Sequence, residues 1–178
     1  MKYKLPFLIP ALLSVLVSSA EKTPIIKIYA YSQAITRGRD PGKGIINENG
    51  TLEKENAKPG IHYLIYLEQT RSSEIKPEQI WIHGISHSIN SVIISNTPVE
   101  LEDQVVYGES KKEILVHETF NKVLQLIITG FSKELLTTSN TLKKLISSSE
   151  LVVSYLWKGK RYYKAVKKIK MLEPIAAM

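Results

Sequence analysis

Between Ile25 and Met171 the apolar residues of this chain recur mostly at every second position, in short runs cut by Gly, Pro, Asn and Ser. A chain with that period buries its apolar groups by laying strands side by side, because successive side chains of a strand leave opposite faces. In 25 to 36, Ile26, Ile28, Ala30 and Ala34 share one face while Lys27 and Gln33 mark the other, which predicts a half-buried strand. In 61 to 70, Ile61, Tyr63, Ile65 and Leu67 line one face and Leu64 and Tyr66 the other, as expected of a central strand covered on both sides. The stretch between them is rich in turn formers and includes Asn49-Gly50, a step that favours a short hairpin.

Further along, 79 to 83 and 86 to 95 have strand chemistry on either side of a bend near Gly84, and Pro98 ends the second run. Residues 99 to 118 are polar with short apolar pieces, and 121 to 129 form another strand-like run. Thr138, Ser139 and Asn140 then precede Leu142, Leu145 and Ile146, spaced for one face of a short capped helix that crosses between strands. Leu151, Val153, Tyr155 and Trp157 alternate up to a Lys158-Gly159-Lys160 turn. Tyr163, Ala165, Ile169 and Met171 continue that parity on the return, and Lys167 breaks it as a bulge or a rim position. About seven or eight strands with one helix predict a mainly antiparallel all-β fold. The expected form is a β-sandwich, with an immunoglobulin-like arrangement as one version and a small β-barrel as the alternative.

The first residues carry a different signal. Lys2 and Lys4 precede an apolar run from Leu5 to Val17, followed by Ser18, Ser19 and Ala20. This predicts a secretory signal peptide cut after Ala20, and a single β domain over 21 to 178 that is secreted or periplasmic. The run is shorter than the ~20 apolar residues a spanning helix needs, and Pro6, Pro10 and Ser14 interrupt it. No transmembrane segment is expected after cleavage. The chain has no cysteine, so a domain exported into an oxidising compartment must be stabilised by burial instead of disulfides.

No reactive constellation stands out, and no catalytic residue, metal ligand or cofactor is assigned. His83 and His87 have the spacing of a helical zinc pair, but on a straight strand they would lie ~13 Å apart at ~3.3 Å per residue. A bend at Gly84 that brought them together would favour the alternative of a hydrolase or metal-dependent enzyme. Ser86-His87-Ser88 is a local coincidence, not a spatial triad, and the Arg37 to Gly44 stretch lacks the Lys-Ser/Thr ending of a phosphate-binding loop. The carboxylates Glu53, Glu55, Glu100, Glu102 and Asp103 fall in polar, turn-rich sequence, where solvation is their ordinary fate. Core packing is the expected use of Trp81 and Trp157, whereas Tyr29 and Tyr31 share a strand face from which they could stack on a sugar or a partner.

Charge is the uneven feature. Lys158, Lys160, Arg161, Lys164, Lys167, Lys168 and Lys170 fall within thirteen residues that hold no acid. Removing the first twenty residues takes Lys2 and Lys4 away and leaves 22 basic groups against 17 acidic ones, so this strip carries the entire positive excess. Such a strip suits a polyanion or polysaccharide of the cell envelope, or a protein partner; lysines on an edge strand also protect it from strand addition. The expected function is therefore that of a non-catalytic binding or structural module.

Overall fold

The structure is a computed structural model that describes residues 23 to 37, 45 to 46, 52 to 53, 60 to 102, 112 to 132 and 139 to 177. The main strands are β1 (Ile25–Arg37), β4 (Gly60–Gln69), β5 (Ile75–Ile82), β6 (Ile85–Ile94), β9 (Lys122–Phe131), β10 (Leu151–Trp157) and β11 (Lys160–Val166). Short strands are β2 (Ile45–Ile46), β3 (Leu52–Glu53), β7 (Val99–Glu102), β8 (Lys112–Val116), β12 (Lys170–Met171) and β13 (Ile175–Ala177), and the helix is α1 (Asn140–Ser148). One sheet runs in the order β11, β10, β5, β6, β9, β4, β1, β12, with β13 also on β1. All pairs are antiparallel except β12 and β13 on β1. The expected all-β, mainly antiparallel architecture is what the chain adopts, as a curled half-barrel with a small second sheet of β7 and β8.

Curling follows from where the apolar faces must go. The concave face collects Ala30, Ile65, Leu67, Ile80, Ile82, Leu124, Leu126, Leu151, Val153 and Tyr155 into one core. The convex face is apolar too, and two separate covers bury it. Over β1, β4 and β9 the β7–β8 hairpin lays Leu115 and Val116 on Tyr29, Tyr31, Leu64 and Tyr66. Over β5, β10 and β11 the helix lays Leu142, Leu145 and Ile146 on Trp81, Val152, Tyr163 and Ala165. The central position of β4, between β1 and β9, explains its two apolar faces. Tyr29 and Tyr31 do lie on the convex side, but both are buried there and present no ring for a sugar. Burial thins along β6 and the end of β9, where Ile93 and Phe131 are 59% and 75% exposed.

Local chemistry fixes the ends of these elements. Ser139 caps α1, its hydroxyl accepting from the Leu142 amide at 3.2 Å. Two-residue turns at His83-Gly84 and Lys158-Gly159 take positive φ at both positions, 48° and 84° in the first, 49° and 74° in the second. That geometry matches the right-handed twist of paired strands, and glycine supplies the second residue without strain. The bend at Gly84 is thus a tight hairpin turn. Strand β2 pairs with β3 across the expected Asn49-Gly50 hairpin, whose turn lies outside the described residues.

A two-residue turn also corrects the expected facing of the last hairpin. Trp157 pairs with Lys160, so odd positions of β10 stand opposite even positions of β11. Tyr162, Lys164 and Val166 share the face of Val153 and Tyr155, whereas Tyr163 and Ala165 turn outward beneath α1. The same-parity expectation failed because it counted along the chain without reversing the pleat at the turn. Lys167 is neither in a strand nor a bulge; it begins the link from β11 to β12 at the rim.

Candidate functional site

The basic strip occupies β11, its turn and the link that follows. Strand β11 is one end of the sheet path and β12 the other, and only residues 167 to 169 join them, so the strip lies where the curl comes round to meet itself. Three of its seven cations have partners within the fold. Arg161 forms a two-pronged pair with Glu78, at 2.6 Å from Nε and 3.2 Å from Nη2, and that hydrogen bond raises its pKa further. Lys170 reaches Glu113 at 2.6 Å and lies 5.9 Å from the centre of the Tyr31 ring. Lys164 turns its ammonium onto the backbone carbonyls of Ile25 and Ile26, and burial lowers its pKa.

The other four are exposed. Lys158 rests on the Trp157 ring at 4.7 Å, while Lys160, Lys167 and Lys168 have no carboxylate partner among the described residues. They form two poles. Lys158 lies in the turn at one end of β11 and Lys160 begins the strand, and Lys167 and Lys168 follow its other end. From Lys160 to Lys167 is seven residues, about 23 Å at ~3.3 Å per residue.

Glu150 organises the second pole. Its carboxylate accepts from the Ile169 amide at 2.6 Å, its amide donates to the Lys167 carbonyl at 3.3 Å, and its carbonyl accepts from the His83 amide at 2.8 Å. One residue therefore ties the end of α1, the β5–β6 turn and the link between the sheet ends. Two clefts open around it. One, of about 540 Å³, is lined by His83, Ser147, Ser148, Ser149 and Lys167 among others. Its neighbour, of about 630 Å³, is lined by Ser32, His83, Lys168, Ile169, Lys170 and Met171 together with Glu150. The first cleft receives the carbonyl end of α1, which favours a cation, so Lys167 complements the helix dipole there. The second cleft lies beside Lys168 and is not lined by that helix end.

The remaining sequence candidates are scattered. His83 sits in the turn, and His87 stands on β6 opposite Ile80, its ring 5.2 Å from that of Phe131; burial lowers its pKa. His62 pairs with Gln33 on the flank of β4, and His117 follows β8. Among the described residues no three His, Asp or Glu side chains gather as metal ligands would. Ser86 accepts from Gln79 and lies on the opposite strand face from His87. Glu100 pairs with Lys112 at 3.3 Å, while the side chains of Glu53, Glu55, Glu102 and Asp103 lie outside the described residues.

Sequence reasoning missed the buried polar groups. Glu68 is 7% exposed and accepts from the Tyr29 hydroxyl at 2.9 Å, the Thr119 hydroxyl at 2.8 Å and the Asn121 amide at 2.7 Å. Burial pushes its pKa up, but the bonds from Asn121, Thr119 and Tyr29, with the charge of Lys27, outweigh that and hold it below the ordinary value. The same burial and the bond to Glu68 push Tyr29 up to about 12. Because Thr119 and Asn121 lie between β8 and β9, this network pins the convex-side hairpin to the main sheet. Its one advance signal is a glutamate on the face of Leu64 and Tyr66, where an apolar residue belongs.

No protein-family model matches this chain, and neither a curated protein nor a solved structure is similar to it. Among the described residues no helix is long and apolar enough to cross a membrane.

Proposed function

We propose that this protein is an exported, non-catalytic binding module that holds an extended polyanion between the two ends of β11. The observation that carries this is the placement of the four exposed lysines at the two ends of β11, a separation of about 23 Å for fully extended chain. That separation exceeds the ~8 Å screening length at physiological salt, so each pole acts on its own. A small anion meets one pole only, whereas a linear polymer, such as an acidic polysaccharide of the cell envelope, meets both. The two partnered cations between the poles, Arg161 and Lys164, serve the fold. Export rests on the apolar run behind Lys2 and Lys4, and predicts that the extracytoplasmic protein begins at Glu21.

Binding to heparin, used as a generic polyanion, tests the assignment through its salt dependence. Neutralising several lysines releases counterions, so log K should fall against log salt with a slope on the order of −3. Lys160→Gln should reduce that slope by about one and Lys167→Gln with Lys168→Gln by about two, whereas Arg161→Gln should leave it nearly unchanged. A slope that ignores the lysine changes overturns the proposal and leaves the strip as edge protection alone.

A further inference from the structure

The curled sheet does not close by strand pairing. From Tyr31 onward the outer edge of β1 is occupied by β12 and β13, with the Leu172 amide on the Ser32 carbonyl at 2.8 Å. Among the described residues, no strand lies on that edge from Ile25 to Ala30, and β11 pairs with β10 alone. Between them reaches the Lys164 side chain, its ammonium on the carbonyls of Ile25 and, at 3.2 Å, Ile26. Carbonyls of consecutive residues in a regular strand point to opposite sides. Here a bulge between Ile25 and Lys27 lets both face the seam. An extended lysine spans about 6 Å from Cα to Nζ, and a hydrogen bond brings the reach to about 9 Å, close to two strand spacings of ~4.8 Å. The seam is therefore no wider than about one strand.

We propose that this seam accepts one extended, acidic polypeptide strand from a partner protein, and that Lys164 is its gatekeeper. Backbone amides of the incoming strand would take over the carbonyls that the ammonium now satisfies, and a carboxylate on that strand would take the ammonium. Charge selects the partner. Neither β11 nor residues 25 to 30 carry an acid, while Lys27, Lys160 and Lys164 are basic and Arg161 is already paired with Glu78. A second copy of this chain would bring its own cationic β11 against the first, and like charges opposite each other destabilise a strand pair. Until a partner arrives, the inward-turned lysine keeps both edges from pairing indiscriminately.

Amide hydrogen exchange of the full chain tests this with two nine-residue probes, one alternating Val and Glu, the other alternating Val and Lys. The Glu probe should slow exchange at least about tenfold in both 25 to 30 and 160 to 166, and the Lys probe in neither. Binding of the Glu probe without protection in 25 to 30 means adhesion to surface lysines and overturns the proposal, as does equal protection by both probes. Lys164→Met should lower the preference for the Glu probe roughly fivefold, and Lys164→Arg should retain it. A Met variant that folds and keeps the full preference removes Lys164 from the role; if it does not fold, loss of preference in the Arg variant does so. Heparin should leave exchange in 25 to 30 unchanged, so this inference stands or falls apart from polyanion binding.

Discussion

Two buried glutamines should respond in opposite directions to the same substitution. Gln69 ends β4 on the concave face, on the side of Ile65 and Leu67; it is fully buried, and neither its amide nitrogen nor its amide oxygen has a partner among the described residues. Gln79, 5% exposed on β5, donates to the Ser86 hydroxyl. Methionine keeps the length and flexibility of either side chain without the amide. An unpaired buried polar group costs ~1–3 kcal/mol, so Gln69→Met should stabilise the fold by ~2 kcal/mol. For a domain of about 150 residues each kcal/mol moves the melting temperature by ~2–4 °C, giving a rise of ~4–8 °C. Gln79→Met instead removes a made bond and strands the Ser86 hydroxyl, at a cost of ~1 kcal/mol and a fall of ~2–4 °C. Thermal unfolding followed by circular dichroism, repeated with urea, reads both. The reasoning is refuted if Gln69→Met lowers the melting temperature or leaves it unchanged, since the amide would then be satisfied in solution.

Other perturbations test other joints of the fold. Glu68→Gln should cost ~1–3 kcal/mol, because one of the oxygens that now accept becomes a donor facing donors. Since the folded pKa of Glu68 is depressed, its stabilisation is present above the ordinary carboxylate pKa and disappears as pH falls through the folded value; the Gln variant should lack that acid-side loss. Tyr29 shifts the other way, so its contribution is complete below pH 10 and is lost towards about 12, and Tyr29→Phe should reduce the fall of urea midpoints across that interval, the other buried tyrosines keeping the rest. Removing the fully buried Leu142 should cost ~2–5 kcal/mol by loosening α1 from Trp81 and Val152, against ~1 kcal/mol for Ser139→Ala at its cap. Equal effects from those two would mean that the helix is stabilised by its cap more than by its packing.

Much of the sheet was legible because strand pattern is a local property. The period of two located β1, β4 and β9, and turn chemistry located the Lys158-Gly159 hairpin, a bend near Gly84 and a capped helix start within 138 to 140. What pattern cannot carry is which of two apolar faces is the inner one. Tyr29 and Tyr31 are buried on the convex side because the paired strands β7 and β8 fold over them, and their sequence is too polar to announce a strand pair. The seam was illegible for a similar reason: Lys164 and Ile25 lie 139 residues apart, and a lysine on a strand reads as solvated until the edge it meets is known. Of the basic strip, position along the chain was visible, but its division into partnered and free cations depended on Glu78 and Glu113, which are remote in sequence.

The proposed function stands most directly on the distance between the two lysine poles, and a length series of heparin oligosaccharides measures it. Affinity at fixed salt should stay weak for chains shorter than ~23 Å and step upward once a chain spans Lys160 and Lys167, with the step abolished by neutral residues at either pole. A smooth rise with length that survives loss of one pole would contradict a two-pole site.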